Sequence, residues 1–124
     1  MSTLKVNTIQ TTSGGSSSTP EQIEQGRAKM WVNFDGTGTV AVRDSFNVSS
    51  VTDNGTGQYT INIDTDMAND DYAVVLGGPT DGGAGNLGPF ANTRNTNNIG
   101  CFNYSQSGSF QDISSFNAAI FGDQ

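Results

Sequence analysis

The stretch Arg27–Ile63, RAKMWVNFDGTGTVAVRDSFNVSSVTDNGTGQYTINI, decides the fold of this chain. Apolar and polar residues alternate along much of it. Because successive side chains of a strand point to opposite faces of a sheet, this spacing predicts strands with one apolar face. The tripeptide Asp53-Asn54-Gly55 predicts a hairpin, since Asn and Gly tolerate the positive φ of tight turns. The alternating apolar residues are Ala28, Met30, Val32, Phe34, Tyr59, Ile61 and Ile63.

Further strands are predicted downstream of this stretch. Tyr72–Leu76 is uniformly apolar and predicts a central strand buried on both faces. Ile99–Tyr104 predicts another strand, and Phe116–Phe121 predicts a last strand that returns to the centre of the sheet. Roughly seven or eight short strands with glycine-rich turns predict an all-β fold, a jelly-roll-like antiparallel β-sandwich, with a closed barrel as the alternative.

The segment 78–98 is rich in Gly and Asn and predicts a long surface loop, and 105–109 predicts a turn. Long loops in compact domains often carry function. We therefore predict that part of this segment forms an exposed binding loop. Its candidate residues are Asp81, Asn86, Leu87, Asn92, Arg94 and Asn95.

The connector 64–71 is acidic, and its carboxylate and amide oxygens are ligands that calcium accepts. The spacing does not match an EF-hand loop, so a solvated turn is the preferred interpretation. We predict no cofactor.

The N-terminal part of the chain predicts an arm and a helix ahead of the sandwich. Residues 1–18 form an arm that ends in a Gly/Ser linker, 19–26 a short helix, and 27–124 the β-sandwich domain. Thr19 suits an N-cap, and Gln22 stands where a capping box has Glu or Gln. A helix this short needs something to pack against.

Apolar residues in these segments predict interfaces. An apolar strand on a flexible tether is typical of an arm that docks on a neighbouring subunit, the alternative being a disordered tail. Trp31 has the parity opposite to Met30 and Val32, which favours a subunit interface over the core. Uncharged edge strands also favour oligomerisation, which would cover them. The predicted interface and anchoring residues are Leu4, Val6, Ile9, Ile23 and Trp31.

The charge of the chain bears on its partners. The 124 residues carry a net charge of −7, with five scattered basic residues. Phosphate groups need basic patches, so we predict no nucleic-acid partner. The acidic surface also disfavours anionic membranes, and no apolar run suggests a signal peptide or a membrane insertion. We therefore expect synthesis in a cytoplasm.

Catalytic residue types are scarce. The chain has one cysteine, Cys101, and no histidine. This composition rules out an intrachain disulfide, a Cys/His zinc site and a Ser-His-Asp triad. Cys101 lies in an apolar run and is predicted to be a small buried residue. Paired carboxylates of a glycosidase are the remaining catalytic option. We predict that the chain is not an enzyme.

The sequence resembles β-domains of virion proteins from tailed bacteriophages, many of them tail fibres of marine and cyanobacterial phages. The resemblance runs from Leu4 to Asp123 and rests on four motifs. They are LKVNTIQTTSGG, WVNFDGTGTVAVRDSFNVSSVTDNGTGQYTINI, the run Met67–Tyr72 and the terminal Ala119-Ile120-Phe121-Gly122-Asp123.

This resemblance implies a structural virion protein that assembles in the host cytoplasm, without catalytic residues. It favours a homotrimer and a tail fibre or spike component that contacts a host surface receptor and attaches to other virion proteins of the tail. The small size favours the alternative of a capsid decoration protein anchored on the head through its N-terminal arm.

Overall fold

The structure is a computed structural model that describes residues 1–79, 86–105 and 107–124. Two four-stranded antiparallel sheets pack face to face and form most of the molecule. A two-stranded hairpin and one helix precede them. The elements are β1 Ile9–Gln10, β2 Ser17–Ser18, α1 Pro20–Gly26, β3 Met30–Asp35, β4 Ala41–Phe46, β5 Val48–Gly55, β6 Gln58–Ile63, β7 Ala73–Gly77, β8 Asn86–Asn95, β9 Asn98–Ser105 and β10 Phe116–Phe121.

The strand order is β4-β3-β10-β7 in the first sheet and β5-β6-β9-β8 in the second. The antiparallel β-sandwich is thus confirmed, with eight strands in two sheets. Three hairpins, β3–β4, β5–β6 and β8–β9, lie within sheets, and the other connections cross between them. The last strand lies between β3 and β7 in the middle of the first sheet, as predicted.

The core lies between the two sheets and is built from the alternating apolar residues. Its centre is a cluster of three aromatic rings. Phe34 lies 5.0 Å from both Tyr59 and Phe116, and Tyr59 lies 5.6 Å from Phe116, measured between ring centroids. The buried apolar residues are Met30, Val32, Phe34, Tyr59, Ile61, Ile63, Met67, Tyr72, Ile99, Cys101, Ile113, Phe116, Ala118 and Ile120.

The Tyr59 hydroxyl fixes the loops at one end of the core. It donates to the Gly36 carbonyl at 3.1 Å and to Asp112 Oδ1 at 2.9 Å. Asp112 Oδ1 also accepts from the Gly57 amide at 2.6 Å. Burial, together with the hydrogen bond to Asp112, raises the pKa of Tyr59. A side chain at position 36 would collide with the Tyr59 ring and hydroxyl, so this contact requires glycine.

Asn47 joins the first sheet to the second. It is the one non-glycine residue with a positive φ, 57°, among the described residues. Its amide donates to the carbonyls of Lys29, at 3.0 Å, and Thr65, at 3.1 Å, while its Oδ1 accepts from the Thr65 amide nitrogen at 2.7 Å. These bonds hold the crossing between β4 and β5 against the connector that follows β6.

The prediction of a central strand at Tyr72–Leu76 was wrong. The strand β7 lies at the edge of the first sheet and pairs with β10. Since its outer face is not covered by a second layer, Val75 is 58% exposed. Tyr72 precedes the strand and is buried, and its hydroxyl donates to the Asn95 carbonyl at 2.8 Å.

The prediction of a loop across 78–98 was also wrong for its second half, because Asn86–Asn95 forms the edge strand β8. Backbone groups make the pairing with β9, so the Asn-rich composition does not prevent it. The pairing of β8 with β9 has two register shifts, one between Asn86 and Gly88 and one between Ala91 and Thr93, which accommodate residues that break the alternation. Candidate residue Asp81 lies outside the described residues.

Two turns differ from the sequence expectation. Asp53-Asn54-Gly55 belongs to β5, and the turn of the hairpin is Thr56-Gly57, where Gly57 has a φ of 63°. The Gly/Ser segment is not a free linker, because Ser17–Ser18 pairs with Ile9–Gln10. Its turn is closed by a hydrogen bond of 3.0 Å from the Thr11 amide to the Ser16 carbonyl.

The helix α1 begins with the predicted capping box. The Thr19 hydroxyl accepts from the Gln22 amide at 3.2 Å, and Gln22 Oε1 accepts from the Thr19 amide at 2.9 Å. None of the helix residues is buried. The helix is therefore held by polar contacts at its ends rather than by an apolar face.

The polar contact at the other end of the helix is made by Lys29, which is 1% exposed. Its ammonium donates to the Glu24 carbonyl at 2.9 Å and forms an ion pair with the Glu24 carboxylate. Hydrogen bonds from Lys29 first, and from Arg27 second, lower the pKa of Glu24. Sequence analysis did not single out Lys29 as a buried residue, because the helix that covers it is a separate element.

We predict that Tyr59→Phe lowers the free energy of unfolding by about 1–2 kcal/mol, because it removes two hydrogen bonds and leaves a buried carbonyl without its donor. Chemical denaturation measures this change. Tyr104→Phe is the matched control, since its ring packs on the surface of the second sheet, and it should change stability much less. Equal losses for the two variants would contradict the role assigned to the Tyr59 hydroxyl.

We predict that acid destabilises the fold partly through Glu24. A carboxyl whose pKa is lowered on folding stabilises the protein above its unfolded value, here 4.5, and this contribution is lost as the pH falls through the folded value. Thermal unfolding between about pH 3 and 7 should therefore be less pH-dependent in Glu24→Gln. The control, Asp66→Asn in the exposed connector, should keep the wild-type profile.

Candidate functional site

Four apolar side chains of the N-terminal region lie around one open cavity of about 580 Å³. We call this set, Leu4, Val6, Ile9 and Ile23, the attachment surface. All four side chains are exposed, Leu4 to 84%. The structure thus brings together four of the five predicted anchoring residues, whereas the fifth, Trp31, lies elsewhere.

The attachment surface is held by local structure on both sides. The hairpin β1–β2 fixes Ile9, and the capped helix presents Ile23. These two residues also share a second cavity of about 330 Å³ with the strands of the hairpin. The start of the hairpin and the helix therefore lie close together at Ile9 and Ile23.

Trp31 lies on the outer face of the first sheet. The strand register places it beside Phe46 on one side and Ala119 on the other, and Val75 follows Ala119. We call these four residues the apolar row. Trp31, Phe46 and Val75 are 38%, 48% and 58% exposed. A groove of about 330 Å³ lies over Ala119 between Trp31 and Val75.

A polar row runs beside the apolar row, one step further along the strands. Asn33 Nδ2 donates to Asn117 Oδ1 at 2.6 Å, and Asn117 Nδ2 donates to the Gly77 carbonyl at 3.4 Å. Asp44 is the partner of Asn33 in the adjacent strand. Arg43 is the extra residue at the register shift between β3 and β4, and its Nη2 forms an ion pair with Asp35 Oδ2 at 2.9 Å.

A polar groove of about 420 Å³ lies between the acidic connector and β8. It contains two of the predicted loop residues, Asn92 and Arg94, together with Thr93, Asp70 and Asp71. Carboxylates, an amide and a guanidinium offer both donors and acceptors, which suits a ligand rich in hydroxyl groups. Sequence reasoning missed Asp70 and Asp71 as partners of β8, because the pairing of two distant segments leaves no local signal.

The other predicted loop residues lie outside this groove. Asn86 and Leu87 belong to the first part of β8. Asn95 ends the strand, and its amide donates to Asn98 Oδ1 at 2.9 Å across the hairpin turn. These three residues therefore do not form one site with Asn92 and Arg94.

Three aromatic rings cluster on the outer face of the second sheet. Tyr104 lies 5.2 Å from Phe102 and 4.5 Å from Phe110, measured between ring centroids. A β-bridge between Tyr104 and Phe110 brings the rings together. The predicted turn at 105–109 lies between them and is closed by a hydrogen bond of 2.8 Å from the Ser105 amide to the Ser109 carbonyl. Phe110 is exposed and the other two rings are half-buried. Partly exposed aromatic faces of this kind can stack on sugar rings or pack against protein.

The remaining chemistry is structural. Cys101 is buried, as predicted, and burial raises the pKa of its thiol to about 12. Across 1–79, 86–105 and 107–124, no three His, Cys, Asp or Glu side chains gather in a way that could hold a metal. The connector 64–71 is anchored by Met67, whose side chain is buried and whose amide donates to the Thr96 carbonyl at 2.8 Å.

Comparison of the chain with protein-family models, with curated proteins and with solved structures gave no match. Within the described part of the chain, no helix is long and apolar enough to cross a membrane.

We predict that Cys101 of the folded protein does not react with iodoacetamide at about pH 8, where a free cysteine with a pKa near 8.5 is partly ionised. The reason is that its thiol is both inaccessible and protonated. Mass spectrometry should detect full labelling only after denaturation. Rapid labelling of the folded protein would contradict the packing of β9 described above.

Proposed function

We propose that this chain is a structural protein of a tailed-phage virion, a tail fibre or spike component with a compact trimeric β-domain that contacts the host surface. The observation that carries the proposal is the attachment surface, four exposed apolar side chains on an arm and helix outside the sandwich. Exposed apolar clusters of this kind mark contacts with other proteins. In this proposal the partner is another virion protein.

Two further surfaces suit contact with the host. The polar groove offers carboxylate, amide and guanidinium groups, and the aromatic cluster at Phe102, Tyr104 and Phe110 offers ring faces. Hydroxyl-binding groups and aromatic faces are the two kinds of group that recognise surface glycans. They lie on the second sheet and its connector, whereas the attachment surface belongs to the arm and helix. One protein could thus hold the particle and the host at the same time.

A second candidate function is a capsid decoration protein, and the attachment surface is the observation that favours it. An apolar arm folded against a helix would pack between neighbouring capsid subunits. The compact sandwich would then lie on the outside of the head.

The experiment uses purified, fluorescently labelled protein and intact host cells. We predict that wild-type protein binds the cells and that Asn92→Ala/Arg94→Ala weakens binding at least about tenfold, because bonds to a charged donor contribute more than neutral ones. The control Arg27→Gln removes the same charge from an exposed ion pair at the helix, and binding should persist. Protein that ignores cells but binds undecorated capsids and raises their heat resistance would establish the decoration role instead.

Particle incorporation tests the attachment surface separately. Phages that carry Leu4→Ser/Ile23→Ser should assemble without the protein, because the exposed apolar contact is lost. The purified variant should remain folded, since both residues are exposed in the free chain. Wild-type incorporation of this variant would contradict the assigned role, as would normal incorporation of a chain that lacks residues 1–18.

A further inference from the structure

The outer face of the first sheet and the helix end beside it carry little net charge. Three cations, Arg27, Lys29 and Arg43, are ion-paired there with Glu24 or Asp35. Asp44 is a third acid, and Asp123, whose Oδ1 accepts from Gln25 Nε2 at 2.7 Å, is a fourth. Each of the three ion pairs formed within the described residues belongs to this region. The region therefore has a net charge of −1, and the other two cations and eight acids of the chain carry the remaining −6.

The apolar row crosses this face from edge to edge. It contains three large, partly exposed side chains, Phe46, Trp31 and Val75. Ala119 lies between the last two and leaves the groove into which a side chain of a partner can fit. The hydrogen-bonded Asn33 and Asn117 amides beside the row keep its polar border ordered.

The strand at one end of the apolar row, β7, has an edge with which no other strand of the described residues pairs. Of the four edge strands, β4 carries Arg43 and Asp44, β5 carries Asp53 and register shifts, and β8 carries Pro89 and register shifts. The fourth, β7, has the sequence AVVLG, without charge, proline or irregular pairing. Charges, proline and bulges are the devices that stop unwanted strand pairing. Their absence from β7 indicates an edge that is covered in the functional state.

We propose that copies of this chain associate with each other through this face, with the apolar row at the centre and the β7 edge at its border. A basic partner would gain most on the acidic surfaces elsewhere, since this face offers it little net charge. A second copy carries the same charge of −7, and it meets the least repulsion where most of the charge is neutralised.

The area that a stable interface buries indicates that this interface includes polar residues around the apolar row. A stable interface buries about 800 Å² on each partner, more than three partly exposed side chains supply. The polar row and the ion pairs therefore belong to the interface border. Trp31 and Phe46 are the aromatic residues at the centre, where residues of this type contribute most of the binding energy.

The experiment is sedimentation velocity on the full chain and on charge variants at one position. Wild-type protein should form an oligomer. Val75→Lys and Val75→Glu should both raise its dissociation constant at least about 30-fold, because either charge would be buried without a partner. Val75 is 58% exposed in the free chain, so both variants should fold. The matched controls, Thr52→Lys and Thr52→Glu, change an exposed residue of the edge strand β5 and should assemble as the wild type does.

Salt dependence supplies an independent test. Raising the ionic strength from about 0.02 to about 0.3 M should strengthen association, because it screens the repulsion between copies of charge −7. A wild-type chain that stays monomeric at all salt concentrations overturns the proposal. It is also overturned if the Val75 variants assemble like the Thr52 controls, or if salt weakens assembly.

This inference does not rest on the virion role. A chain that associates through this face but is absent from virions would keep the inference and lose the proposed function. A virion protein that is monomeric in solution and unaffected at Val75 would overturn both this inference and the trimer of the proposed function, but would keep the virion role.

Discussion

The burial of the Lys29 ammonium is the constraint on which the arrangement of the N-terminal region depends. A buried charge is costly unless it is paired and hydrogen-bonded. Glu24 supplies both the carbonyl and the carboxylate that satisfy it, so α1 must end above the start of β3. Since the helix has no buried residue of its own, this contact and the 2.7 Å hydrogen bond from Gln25 Nε2 to Asp123 Oδ1 hold it in place. The position of Ile23, and with it the attachment surface, depends on these two polar contacts.

The sandwich separates a rigid core from surfaces that differ in chemistry. Phe34, Tyr59 and Phe116 form the centre, and the Tyr59 hydroxyl ties the loops at Gly36 and Asp112 to it. Outside this core, charge is distributed unevenly. The first sheet presents an apolar face with little net charge, while most of the acids lie elsewhere. Acidic surfaces of two copies repel each other. Copies of the chain can therefore meet at the face with little charge, and the acidic surfaces stay free for different partners.

The sequence predicted those features that have a local cause. Alternation located β3, β6, β9 and β10, and Thr19 with Gln22 marked the start of the helix. Prediction from the sequence failed for β8, because backbone pairing and two register shifts form a strand despite a composition typical of loops. Prediction also failed for the position of β7, since an apolar run does not reveal whether a strand is central or at an edge.

For the candidate sites, Leu4, Val6, Ile9 and Ile23 were predicted as anchoring residues from their apolar character alone; the structure places them around one cavity, and their anchoring role stays a prediction. The apolar row and the polar groove required strand register and distant contacts, which no short stretch encodes. The central claim is that this is a virion protein. Quantitative mass spectrometry of purified particles, with the major capsid protein as reference, tests it most directly. A copy number that is a small fraction of the capsid count is the expected result, a number comparable to it would mean capsid decoration, and absence from the particles would contradict the virion role altogether.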